Sequence, residues 1–141
     1  VRNVSTDIRS QFAGTETKGN SIFVFEMAGL CIGHLGHLHH APDAAQYAAL
    51  GRVDVVMAPV DGGTTLDLPT MTGVLKRLRS SIVIPMHWFG RYSLDRFVAE
   101  MADDFAIERP GRAEYTVSLR TLPRQPTVVV LEPVFVRYDD E

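Results

Sequence analysis

Two short apolar runs, residues 53–58 (V-D-V-V-M-A) and 81–86 (S-I-V-I-P-M), are each followed by a stretch whose apolar residues recur at helical spacing. No other feature constrains the fold as much. Strands that are apolar on successive residues are covered on both faces, and a helix is the connection that two parallel strands need. Leu68, Met71, Val74, Leu75 and Leu78 form the first helical stripe, with Asp67 as its cap and Pro69 in the opening turn. Leu94, Phe97, Val98 and Met101 form the second, with Ser93 as the expected cap. The chain therefore reads as α/β, built on right-handed βαβ crossovers. Residues 22–27 and 30–33 add two apolar runs joined by Ala28-Gly29, a hairpin signal. Residues 42–50 read as a short helix that opens on Pro42 and stops at Gly51. Residues 105–108, 115–119 and 127–131 read as short strands, and Asp139-Asp140-Glu141 as a frayed acidic end.

Length and charge then narrow the function. At 141 residues the chain reads as one domain over 1–141. A net charge of −3 leaves no basic field for a nucleic acid or an anionic membrane. The apolar runs are far shorter than the roughly 20 residues of a membrane helix. With one cysteine, Cys31, a disulfide scaffold is excluded, and with no leader-like segment in view the expected compartment is the cytoplasm. Cys31 lies inside an apolar run and reads as a core thiol. Neither a G-x-S-x-G elbow, a P-loop nor a G-x-G-x-x-G fingerprint occurs.

The histidines carry the chemistry. Four of the five fall in Gly33-His34-Leu35-Gly36-His37-Leu38-His39-His40, and the fifth, His87, ends the run 81–86. Both places are the C-terminal ends of apolar strands, where α/β sheets keep their ligand sites. Imidazole is the commonest zinc ligand and also suits manganese and iron. Taken singly, each place also reads as a solvated turn or a satisfied strand-end histidine. Together they point to a site.

The run from Asn20 to Glu26 (N-S-I-F-V-F-E), then Gly29-Leu30-Cys31-Ile32-Gly33-His34-Leu35-Gly36-His37-Leu38, resembles the later part of metallo-β-lactamase-fold hydrolases, closest to the L-ascorbate-6-phosphate-lactonase-like branch. The likeness continues through residues 53–60, the Gly62-Gly63 pair and Asp67 to Ile84-Pro85-Met86-His87-Trp88, similar to that branch's I-P-M-H-[YW]. It covers about residues 1–90 in unbroken order. The resemblance implies the C-terminal half of an αββα sandwich: a mixed sheet with helices on one face. It also implies a divalent metal, zinc first and manganese or iron next, that activates water against an ester, lactone, amide or phosphoester. On this reading His37 and His87 are metal ligands. Asp7, His34 and His40 are further ligands or their supports, and Trp88 lines the pocket of a small-molecule substrate. Asp54 and Asp61 are candidates to orient a histidine N–H, although Asp54 also suits a pair with Arg52.

This chain departs from the pattern in three places. His37 stands where the family has a metal-bridging Asp, and an imidazole cannot bridge two ions as a carboxylate does. No histidine occurs in residues 4–8, where the family has one and this chain offers only Asp7. The H-x-H-x-D-H element is absent. A homologue that kept the fold and lost catalysis, acting as a binding or interaction subunit, is the alternative. The three helices can cover one sheet face, so the other is expected to pack on the missing N-terminal half or a second chain.

Overall fold

Ala28 and Gly29 both take positive φ, 53° and 78°, so the chain reverses tightly between β2 (Thr15–Met27) and β3 (Leu30–His34). In the computed structural model, which describes residues 1–10 and 14–134, this hairpin lies in a seven-stranded mixed sheet. The other strands are β1 (Arg2–Arg9), β4 (Val55–Pro59), β5 (Ile82–Met86), β6 (Ala106–Glu108) and β7 (Thr127–Val129), in the order β1-β2-β3-β4-β5-β7-β6. β1, β2 and β3 pair antiparallel, and every later pairing is parallel. Helices α1 (Ala44–Leu50), α2 (Leu68–Leu78) and α3 (Arg91–Met101) follow β3, β4 and β5 in turn.

Alternation along the strands sorts the side chains onto two faces. Ile22, Val24, Val56, Ala58, Val83 and Val128 join Leu50, Met71, Leu75, Leu94, Phe97 and Met101 in one buried cluster under the helices. Phe97 is fully enclosed, and truncating it to alanine would cost about 3–5 kcal/mol. The opposite face carries Val55, Ile82 and Val129, with Ile32, Ile84 and Leu131 around them.

The ends of several elements differ from the sequence reading. α1 starts at Ala44 because Asp43 caps it, in a reciprocal box with Gln46, so Pro42 lies outside the helix. α3 starts at Arg91, three residues before the apolar stripe, on an extended Gly90 that gives no side-chain cap; Ser93 is inside the helix. Asp67 does cap α2 through Thr70. Residues 115–118 form no strand: the segment leads into a 3₁₀ turn (Leu119–Thr121), and Tyr115, Val117 and Leu122 pack onto Val55, Ile82 and Val129. The chain thus covers part of its own second face. Phe23, Phe25 and Met27 on β2 remain 43%, 40% and 64% exposed there. The acidic end at 139–141 lies outside the described residues. No helix among the described residues is long and apolar enough to cross a membrane.

Candidate functional site

Beyond β3 the chain stays tied to the sheet edge. The Leu35 amide donates to Met57 O, and the Leu66 amide to Leu38 O. Leu35 and Leu38 are buried, so the histidines between and after them are turned outward. Asn20, a buried residue of β2, organises the bend. Its Nδ2 donates to Thr6 Oγ1 (3.0 Å) and Leu35 O (3.1 Å), and its Oδ1 accepts from the His37 amide (2.8 Å). Gly36 sits at φ 63°, where a Cβ would stand 2.5 Å from Asn20 Oδ1, so only glycine fits.

His87 follows β5 with φ 55°, a left-handed conformation that costs an L-residue about 1–2 kcal/mol. The strained turn brings its ring edge-on to His37, with centroids 5.1 Å apart and planes at 78°. Phe89 meets the ring of His87 at 4.5 Å. Two segments separated by 50 residues in sequence thus place their imidazoles in contact range.

His39, which the sequence reading left without a role, completes the cluster. Its Nε2 lies 2.9 Å from His37 Nδ1, and its Nδ1 accepts from the Arg9 amide of β1 at 2.8 Å. Burial, then the neighbouring Arg9, His37 and His40, lower its pKa below the ordinary 6.5, against a smaller opposing pull from Asp61. His37 Nε2 faces Thr64 Oγ1 at 3.5 Å, and that hydroxyl donates to Asp61 Oδ2 at 2.6 Å. Burial pushes the Asp61 carboxyl up, but hydrogen bonds from Thr64, Thr65 and the Gly63 amide outweigh it and hold the group well below the carboxylate range. The signal for His39 was its i, i+2 relation to His37 across buried Leu38, which leaves both rings on the side away from the core.

The remaining candidates lie elsewhere or have other partners. His34 Nδ1 accepts from the Gly36 amide, and His40 is exposed. Asp7 accepts from the Lys18 amide across the irregularity between β1 and β2. Trp88 is half-buried against the core, and with Pro85, Met86 and Leu131 it lines a groove on the second face. Asp54 accepts from the Cys31 amide (2.8 Å) and pairs with Arg52 (3.2 Å), and Asp61 bonds the turn after it; neither carboxylate is hydrogen-bonded to a histidine. Among the described residues, no group of three or more His, Cys, Asp or Glu side chains is placed to hold a metal ion. His87 has no hydrogen bond to its ring among these residues and suits a ligand role, whereas both nitrogens of His37 face partners.

A seven-stranded mixed sheet helix-covered on one face, with histidines beyond its strand ends, defines a mixed α/β fold with its candidate site at the C-terminal edge of the sheet. The sequence model of the beta-lactamase superfamily domain matches residues 1–87 of the 141, and the chain belongs to that superfamily. A solved structure from Thermotoga maritima, assigned to the zinc-dependent hydrolases of the metallo-beta-lactamase superfamily, is 26% identical with a TM-score of 0.67, over 92% of this chain and 63% of that one. A UPF0173 protein of Pyrococcus furiosus is 31% identical over 62 residues, 44% of this chain and 28% of that protein. The chain spans less than two thirds of the length of either relative.

Proposed function

We propose that the chain forms part of a metal-dependent hydrolase, acting on a small molecule through a centre completed by polypeptide beyond the described residues. The contact between His37 and His87 at two strand ends, held at the expense of a left-handed backbone at His87, carries this reading. His87 would hold a divalent ion, zinc foremost, with manganese or iron as the alternatives. Ligation by His37 as well requires its hydrogen bond with His39 to open first. When bound, such an ion lowers the pKa of its water and polarises the oxygen of an ester, lactone, amide or phosphoester. The residues of this chain orient the site: Asn20 fixes the His37 backbone, and Asp61 fixes the Thr64 hydroxyl beside it. The run Ile84-Pro85-Met86-His87-Trp88 resembles the lactonase-like branch, so lactones are the first substrates to try.

The Phe23, Phe25 and Met27 strip is covered, on this proposal, by an N-terminal half of the same sandwich or by a second chain. That the chain covers only 63% of the Thermotoga maritima structure supports cover by further polypeptide of the same fold. The full-length protein should purify with divalent metal and open lactones, and His87→Ala should lose both properties. A metal-free, inactive full-length protein that still captures a partner would favour the binding-subunit alternative instead.

A further inference from the structure

We propose that His37 acts as a fixed N–H donor, through Nε2, toward an oxygen atom of the molecule bound at the site, and not as a metal ligand. The inference rests on the site being the hydrolytic centre, but its logic comes from hydrogen-bond direction alone. A backbone amide can only donate, so the bond from Arg9 N requires a lone pair on His39 Nδ1. The His39 ring is then neutral, with its single proton on Nε2. That proton points at His37 Nδ1, 2.9 Å away, which must accept it. His37 is therefore neutral too, with its own proton on Nε2.

The far end of the chain agrees. Thr64 gives its hydroxyl proton to Asp61 and so turns a lone pair toward His37 Nε2. Donation thus runs in one direction, from Arg9 through His39, His37 and Thr64 to Asp61. A metal needs an unprotonated nitrogen. While His39 stays in place, His37 has none free: one lone pair is engaged and the other nitrogen is protonated. The Thr64 contact is long for an N–H···O bond, and His37 is exposed, so this donor has capacity for a closer acceptor. Its complement is a negative or polarised oxygen, whether of a phosphate, a carboxylate or a carbonyl under attack.

The test is ¹H–¹⁵N long-range correlation spectroscopy of the full-length protein's imidazoles. His37 should show the Nε2–H tautomer. Zinc should move the ring nitrogens of His87 and leave the His37 pattern unchanged, and inorganic phosphate should shift the His37 Nε2 proton. His39→Gln, whose side-chain amide can still donate to His37, should keep that tautomer. His39→Glu, which can only accept, should pull the proton onto His37 Nδ1, free Nε2, and make His37 respond to zinc. A wild-type His37 in the Nδ1–H form, or one that shifts with zinc as His87 does, overturns the proposal, and the wild-type spectrum decides this even if a variant fails to fold. An unmoved His87 in zinc, with His37 in the Nε2–H form, overturns the metal reading and leaves the donor assignment standing.

Discussion

Asn20→Ala should be among the most damaging polar substitutions in this protein. The residue is 8% exposed and ties β2 by three hydrogen bonds to two segments: β1 through Thr6, and the post-β3 bend through both Leu35 O and the His37 amide. Two of the partners, the Thr6 hydroxyl and the Leu35 carbonyl, belong to buried residues. Orphaning a buried polar group costs about 1–3 kcal/mol. The His37 amide belongs to an exposed residue and recovers part of its loss from water. Some water also enters the space vacated by the carboxamide, so the net cost is about 2–4 kcal/mol. Urea denaturation followed by circular dichroism should show a lower midpoint at unchanged slope. The His37 amide should also lose its protection from hydrogen exchange. A loss of stability under about 1 kcal/mol would refute the assignment of Asn20 as the bend's anchor.

Three further outcomes follow from the same geometry. His87→Gly should be more stable than His87→Ala by about 1 kcal/mol, because only alanine retains the left-handed strain; equal midpoints would show that φ 55° carries no cost. Asp61 has its folded pKa depressed from 3.8, so its stabilisation is present above the unfolded value and is lost as pH falls through the folded one. Exchange of the Thr64 amide should therefore stay slow at mildly acidic pH and quicken only below about pH 4, whereas Asp61→Asn should remove that pH dependence. In a Cys31→Ser background, a Met27→Cys thiol should react slowly with maleimide in the full-length protein if the open sheet face is covered; reaction at the rate of a free thiol would show that face bare.

What the sequence determined by itself is local or periodic. The alternation of Ile22 and Val24 with Phe23 and Phe25 sorts β2 onto two faces. The stripe Leu68–Met71–Val74–Leu75 makes α2, and Asp67 starts it, because these depend on neighbours within a turn or a strand. The placing of His37 and His87 at strand ends was legible for the same reason. Element ends were less so: Gly90 opens α3 with backbone geometry alone, and residues 115–118 are apolar enough for a strand but lie across the second face of the sheet instead of pairing at its edge. Only the tertiary structure decided the chemistry of the histidines. Which nitrogen of His37 carries the proton depends on His39, and His39 in turn on an amide of Arg9, 30 residues earlier in the chain. An imidazole has two nearly equivalent tautomers in water, and what chooses between them is the partner the fold sets against each nitrogen.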